Sequence, residues 1–263
     1  MSFSNYLGIR NALFNILDKK NLGSTEYSIA YYLLKNFNHL GSINIYKMVE
    51  ECSVSRSTID RFFKSLGYKN FLEFKKSFQN KYNIHLTKLI NRPYKVYIDI
   101  LTEEILKMME ELKYRMNSKE VLSICNYIHD SEKVVFLSSS SNAGIIRNFQ
   151  QEFIYLDKII YSISQSYEND KLMTSLNKTD LLINFSITGD LAKIIENKIK
   201  ELNCKKILIT INRDSKLKDS YDNTYYLSSK DMSELDINIY NRYALTYMLD
   251  ILLNNYSYMF FNK

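Results

Sequence analysis

The chain has 263 residues, which is enough for two domains that each bury a core of their own. Its 46% hydrophobic and 24% charged residues are typical of a globular protein. No apolar run reaches the roughly 18–20 residues of a membrane span, which excludes functions that require one. The net charge of +6 is uneven, because residues 1–95 carry +9 and residues 96–263 carry −3. A basic half joined to a mildly acidic half is expected of a nucleic-acid-binding domain with a separate partner domain.

The cysteines and histidines show no spacing that is typical of a disulfide framework, a metal site or a catalytic pair. They are Cys52, Cys125 and Cys204, and His39, His85 and His129. We therefore predict reduced thiols, no metal and no cofactor. The first ten residues lack the basic-then-apolar plan of a secretory signal, so we expect a cytoplasmic protein with no membrane partner.

The first third of the chain predicts five helices. They cover residues 5–20, a segment that opens at Ser24, then Ile45–Cys52, a helix entered at Ser55, and residues 70–82. Ser24 and Ser55 are good N-caps because a serine oxygen accepts from the free backbone N–H groups of the first turn. Ile59, Phe62, Phe63 and Leu66 follow Ser55 at helical spacing, and Gly67 then suits a left-handed C-cap.

The short helices at 45–52 and 56–66, joined by a tight turn at Ser53 and Val54, predict a helix-turn-helix whose second helix enters the major groove of DNA. Its polar face carries side chains that suit phosphates and base edges. The predicted DNA-binding residues are Ser55, Arg56, Ser57, Thr58, Arg61, Lys64, Tyr68 and Lys69. An amphipathic helix with several cations is often only solvated, and the concentration of positive charge in this half favours the DNA interpretation.

Residues 83–98, which contain the only proline, Pro93, predict a linker between domain 1–82 and domain 99–263. After helices at 99–116 and 118–129, short β-rich runs alternate with amphipathic stretches. The runs are Val134–Leu137, Ile159–Tyr161, Leu181–Phe185, Ile207–Ile211 and Thr224–Leu227, with the clearest amphipathic stretch at Leu191–Leu202 and a final helix at 237–254. This alternation predicts an α/β domain with a parallel five-stranded, flavodoxin-like sheet covered by helices on both faces.

Two loops that follow predicted strands are rich in hydroxyl groups. The first is Ser138, Ser139, Ser140, Ser141 and Asn142, and the second contains Ser186, Thr188, Gly189 and Asp190. Ligands of open α/β sheets bind beyond the carboxyl ends of the strands, and helix starts attract anions. The expected ligand of such loops is a phosphate group. The alternative is that these serine and threonine side chains only cap helices and bind no ligand.

The two halves together resemble the RpiR family of bacterial transcription regulators. The resemblance is strongest at Val54–Phe62 and on through Leu66-Gly67-Tyr68, Phe71 and Phe74-Lys75. In the second half, Phe185–Asp190 resembles the S-x-S-G-x-T phosphate loop of the family, and Ile209–Asn212 resembles its following I-T-x-N strand end. Thr188 stands for the second serine and Leu191 for the final threonine. The glycines of the first family loop are replaced by Ser138 and Ser140.

The resemblance implies an N-terminal helix-turn-helix domain and a C-terminal sugar isomerase (SIS) domain that senses a phosphorylated sugar. The implied partners are double-stranded operator DNA, a sugar-phosphate effector and a second copy of the chain in a homodimer, or a tetramer. One alternative is a DNA-binding regulator whose SIS domain serves only for dimerisation. A second is a sugar-phosphate isomerase, which would need a general base, and Glu152 and His129 are the candidates for it.

Overall fold

The computed structural model describes residues 3–78, 92–116, 119–164, 171–230, 234–235 and 239–261. The chain divides into two compact units, Met1–Ile84 and His85–Lys263. Residues 83–91 of the predicted linker lie outside the described part of the chain, and residues 94–98 belong to a helix. No described helix combines the length and the apolar character that crossing a bilayer requires.

The first unit is helical. It consists of α1 (Phe3–Lys19), α2 (Thr25–Lys35), a 3-10 turn (Phe37–Ser42), α3 (Ile45–Cys52), α4 (Arg56–Ser65) and α5 (Phe71–Ser77). The five predicted helices are confirmed, although residues 79–82 of the last prediction lie outside the described part of the chain. Ser24 caps α2 as predicted, because its side chain accepts from the Tyr27 N–H at 3.3 Å. Apolar side chains from these helices form one buried core, which includes Leu13, Leu33, Met48, Ile59 and Phe63.

The second unit contains a parallel five-stranded sheet, as predicted. Its strands are β1 (Val134–Ser138), β2 (Ile160–Ile163), β3 (Leu181–Phe185), β4 (Lys205–Thr210) and β5 (Asn223–Tyr226), in the order β2-β1-β3-β4-β5. All four pairings are parallel. β1 and β3 are neighbours although β2 lies between them in sequence, so the chain reverses its winding direction there. Such a switch point opens a crevice beyond the carboxyl ends of the two strands.

Helices cover both faces of the sheet. One buried cluster joins the sheet to α6 (Tyr94–Met116), α7 (Lys119–Asp130), α8 (Ala143–Ile154) and the last helix, α13 (Leu245–Phe260). The other cluster contains side chains of α9 (Lys171–Thr174), α10 (Asp190–Ile194), α11 (Glu196–Glu201) and α12 (Ser215–Lys218). Burial on both sides explains why β1 and β3 are entirely buried and nearly continuous in apolar residues.

Three predicted helices differ from the structure. The stretch predicted as one helix from Leu191 to Leu202 is two short helices that meet at Ile195, and Ile194 is exposed instead of facing the core. α6 begins at Tyr94, five residues before the predicted start at 99. The final helix continues to Phe260, and a π-helical turn, Tyr240–Ala244, precedes its α-helical part.

A polar pair lies inside the second apolar cluster. Asn184 on β3 is fully buried and donates from its side-chain amide to the Tyr221 hydroxyl at 2.6 Å, whereas its Oδ1 has no hydrogen-bond partner within the described chain. Burial raises the pKa of Tyr221, so the hydroxyl stays protonated. Because an unpaired buried polar atom is costly, each member of the pair depends on the other.

We predict that Tyr221→Phe lowers the free energy of unfolding by about 1–3 kcal/mol, since it leaves the Asn184 amide without its acceptor. Asn184→Leu combined with Tyr221→Phe should recover most of that loss, because both polar groups are then removed together. Urea unfolding followed by circular dichroism measures both variants. A double variant that is less stable than the single one would contradict this account.

Candidate DNA-binding surface and ligand loops

The turn between α3 and α4 is a tight helix-turn-helix connection. Ser53 takes a left-handed conformation with φ 53°, and the Val54 N–H donates to the Val49 carbonyl at 3.2 Å, which closes the end of α3. Ser55 is the N-cap of α4 as predicted, and its side chain accepts from the Thr58 N–H at 3.2 Å. Gly67, with φ +87°, follows the end of α4. The sequence pattern therefore correctly located both ends of this helix.

One face of α4 is held in the core by aromatic rings. Phe63 is fully buried, and its ring centroid lies 4.3 Å from that of Phe74 and 5.7 Å from that of Phe71. Asp60, also on α4, accepts from the Phe71 N–H at 3.1 Å and so caps the start of α5. These contacts fix the rotation of α4 about its axis and turn its opposite face to solvent.

The outward face of α4 carries the predicted cations. Arg56, Arg61 and Lys64 are exposed, and so is Lys69 after the helix. Within the described residues, no carboxylate lies within ion-pair distance of any of the four, whereas Lys20 and Lys47 in the same unit are paired with Glu26 and Glu51. The charge of this face is therefore available to an external anion.

A chain of hydroxyl groups links the same surface. Ser55 Oγ lies 2.8 Å from Ser57 Oγ and 2.9 Å from Thr58 Oγ1, and Arg61 donates from Nη2 to Thr58 Oγ1 at 3.3 Å. Ser57 is exposed and Thr58 is half-buried. The network brings four of the predicted DNA-binding residues together and orients Arg61, which is typical of a surface that presents donors to base edges and phosphates.

Tyr68 differs from the other predicted DNA-binding residues. It is half-buried, and its ring packs edge-on against Phe74 with centroids 5.2 Å apart. Burial raises the pKa of its hydroxyl. The ring therefore supports the turn that carries Lys69. Tyr46 on α3 was not predicted: its ring centroid lies 4.0 Å from the Arg56 guanidinium carbon, and no spacing rule links positions ten residues apart across a turn.

The second candidate site consists of the two hydroxyl-rich loops, which leave the sheet side by side at the switch point. Ser138, the last residue of β1, is paired in register with Phe185, the last residue of β3. In the first loop Ser138 and Asn142 are buried, and the Ser139 and Ser141 hydroxyl groups lie 2.8 Å apart. The side chain of Ser140 lies outside the described part of the structure.

The second loop is bonded to the end of β4. Ser186 is buried, and its Oγ accepts from the Ala192 N–H at 3.0 Å, which caps α10. Asn212 donates from its side chain to the Thr188 carbonyl at 2.8 Å. Gly189 has φ +82° and lies against Asn212, so closely that a Cβ on Gly189 would come within 2.6 Å of the amide nitrogen. Asn212 is therefore the supporting residue of this loop.

A carboxylate occupies part of the hydrogen-bonding capacity of the second loop. Thr188 donates its hydroxyl proton to Asp190 Oδ2 at 2.7 Å, and the Asp190 N–H lies 3.4 Å from Thr188 Oγ1. The loop can offer the Thr188 hydroxyl to a phosphate only if this bond opens. The sequence placed both residues in the loop and could not show that they bind each other.

A further polar cluster, at the end of β5, was not predicted. Glu111 on α6 accepts hydrogen bonds from the Ser228 and Ser229 hydroxyl groups, the Ser229 N–H and the Tyr240 hydroxyl. Burial raises the pKa of Glu111, but these hydrogen bonds outweigh it and lower the pKa below its usual value. The hydrogen bonds of this carboxylate thus join α6 to the π-helical turn and to the segment after β5.

Comparison with known proteins finds sequence similarity to bacterial transcription regulators. Residues 13–84 match the sequence profile described as "Helix-turn-helix domain, rpiR family". An uncharacterized HTH-type transcriptional regulator of Thermotoga maritima is 22% identical over 74% of this chain and 72% of its own length. The HTH-type transcriptional regulator GlvR of Bacillus subtilis is 24% identical over 66% of this chain and 65% of its own length.

A solved structure shares the fold over part of this chain. The Escherichia coli CFT073 protein c3406 superimposes with a TM-score of 0.50 at 17% identity, over 65% of this chain and 96% of that one. At this identity the likeness concerns the fold alone.

We predict that Gly189→Ala destabilises the protein more than Gly67→Ala does. Both glycines have positive φ, which costs an alanine about 1–2 kcal/mol, but a Cβ at Gly67 would meet no atom within 4 Å. The contact with Asn212 should add about 1–3 kcal/mol at Gly189. Thermal unfolding of the two variants measures the difference. Equal destabilisation would show that Asn212 yields without cost.

Proposed function

We propose that the chain is a transcription regulator of the rpiR family and that its helix α4 docks in the major groove of operator DNA. We further propose that a phosphorylated sugar at the loops after β1 and β3 modulates the affinity. The observation that carries the DNA proposal is the outward face of α4, where Arg56, Arg61 and Lys64 stand exposed with no internal counter-ion among the described residues. A polyanion is the partner that compensates such a face, with a strong dependence on salt.

The proposed contacts divide into two kinds. Ser57, Thr58 and Arg61 lie on the hydroxyl network of α4, and we assign base contacts to them. Arg56, Lys64 and Lys69 contact phosphates and set the register, which carries no sequence information of its own. Ser55 acts as the helix cap, and Tyr68 acts through packing.

Two such helices are needed for a pseudo-palindromic operator, since helix-turn-helix proteins read two half-sites about 34 Å apart. We therefore propose a homodimer, or a tetramer of two such pairs. Binding to the chromosome places the protein in the cytoplasm.

The effector proposal is supported by the position of the two loops. Ser138 to Asn142 and Ser186 to Asp190 leave neighbouring strands at the switch point of a parallel sheet, where ligands of this architecture bind. A ligand there changes operator affinity only to the extent that it binds the two arrangements of the DNA-binding units with different affinity.

The bond from Thr188 to Asp190 favours a second candidate function. A carboxylate that already occupies the loop opposes an incoming phosphate, which suits a domain that serves only for dimerisation. The isomerase alternative receives less support. His129 lies in the last turn of α7, before β1, and Glu152 lies in the last turn of α8, before β2, so both lie near the amino edge of the sheet. A strand such as β1 separates that edge from the loops by about 13 Å.

We predict that Arg61→Ala weakens operator binding by about 1–3 kcal/mol, because it removes a bidentate base contact. The operator is first selected from duplex fragments of the organism's own genome, and binding is then followed by fluorescence anisotropy. Lys20→Ala is the matched control, since Lys20 is an exposed cation outside α3 and α4 that pairs with Glu26. Circular dichroism confirms that both variants are folded. Equal affinities of the Arg61 variant and the unaltered chain would contradict the base contact.

We predict that at least one sugar phosphate of a broad panel raises the melting temperature. A ligand at a hundred times its dissociation constant stabilises by about 2.7 kcal/mol. Ser186→Ala combined with Thr188→Ala should abolish the shift, whereas Ser123→Ala on α7 should keep it. An equal shift in the double variant would show that the sugar phosphate does not bind at these loops. If no sugar phosphate shifts the melting temperature, the result would favour a domain that serves only for dimerisation.

A further inference from the structure

We propose that Tyr46 is a positioning residue for the DNA-binding surface, which holds the guanidinium group of Arg56 in the orientation that contacts the duplex. This inference rests on the proposed function and adds a residue of α3 to it. Tyr46 is the second residue of α3, and two-thirds of its surface is exposed. The Arg56 guanidinium carbon lies over its ring, 4.0 Å from the centroid.

The position of Arg56 explains why a partner is needed. Arg56 is the first residue of α4, where the unpaired N–H groups and the helix dipole disfavour a positive charge. A free arginine there would turn away from the helix start and sample many rotamers. The electron-rich face of the Tyr46 ring attracts the guanidinium group from the other helix of the motif and restricts that freedom.

The contact leaves the recognition capacity of Arg56 intact. A ring uses one face of the guanidinium and none of its five N–H donors. No side-chain hydrogen bond or ion pair of Arg56 to any described residue competes for these donors. A carboxylate partner such as the one that Lys47 has in Glu51 would neutralise the charge instead. The aromatic partner thus orients Arg56 without reducing its attraction for a phosphate or a base edge.

The location of the pair suits this role. In a helix-turn-helix the first helix crosses the DNA backbone while the second enters the groove. Tyr46 at the start of α3 and Arg56 at the start of α4 bring both helix starts to one place. The backbone of Tyr46 is held in place by the N-cap of α3, because the Asn44 side chain accepts from the Tyr46 N–H at 2.8 Å.

A double-mutant cycle tests the inference on the full chain with the genome-selected operator. We expect Tyr46→Phe to stay within about twofold of the unaltered affinity, since phenylalanine retains the ring face. Tyr46→Ala, and Tyr46→Leu, which keeps apolar bulk without the ring, should bind about three- to tenfold more weakly. Tyr46→Ala combined with Arg56→Ala should bind no more weakly than Arg56→Ala alone.

The control is Tyr31→Ala on α2, another exposed tyrosine, whose ring stacks on Tyr27 instead of on a cation. We expect it to leave the affinity unchanged, and the melting temperature shows whether each variant is folded. Additive losses in the Tyr46 and Arg56 variants, or an unchanged affinity for Tyr46→Leu, would overturn this inference alone. A chain that binds no genomic duplex even at low salt would overturn the proposed function and this inference together.

Discussion

The packing of the Phe63 ring against Phe71 and Phe74 is the contact on which the proposed DNA-binding surface depends. A helix of ten residues gains little stability from its own hydrogen bonds and takes its orientation from the apolar face that it buries. With Ile59, Phe62 and Phe63 buried, the remaining side chains of α4 can only point outward. Asp60 strengthens the arrangement, because the one carboxylate of α4 is used on the start of α5 instead of neutralising the cations. One buried face therefore determines the chemistry of the opposite one.

Particular charged side chains of the two units differ in the kind of partner that they have. In the helix-turn-helix unit two cations of α4 have neutral partners, Arg56 a tyrosine ring and Arg61 a hydroxyl group, and thus keep their charge for the proposed polyanion. In the α/β unit two carboxylates accept hydrogen bonds from neutral groups, Glu111 from two serines and a tyrosine and Asp190 from Thr188. Neutral partners preserve a charge for recognition, whereas hydrogen bonds to a carboxylate use it for cohesion.

The sequence was sufficient for features that depend on local periodicity and caps. Ser55, Gly67 and the apolar spacing between them located α4, and runs such as Leu181–Phe185 located the strands of the sheet. It was insufficient where the outcome depends on contacts between distant elements. A continuous apolar pattern concealed the break at Ile195, since Ile195 and Ile199 stay buried across it and only Ile194 becomes exposed. The stack of Tyr46 on Arg56, the support of Gly189 by Asn212 and the cluster around Glu111 each join separate elements.

The hydrogen bond between Thr188 and Asp190 sets a condition on the proposed effector site. A dianionic group and the Asp190 carboxylate within 4–6 Å repel by on the order of 3–4 kcal/mol per charge at an effective dielectric constant of 20, and by less where water screens them. An effector that bound here would therefore have to displace Asp190 from the Thr188 hydroxyl. That displacement occurs where β3 turns into α10, between Asn212 on one side and the first loop on the other. The same carboxylate that would weaken the proposed site for phosphate would thus make the bound and free loops different in structure, and such a difference is what a ligand needs to shift an equilibrium between two arrangements.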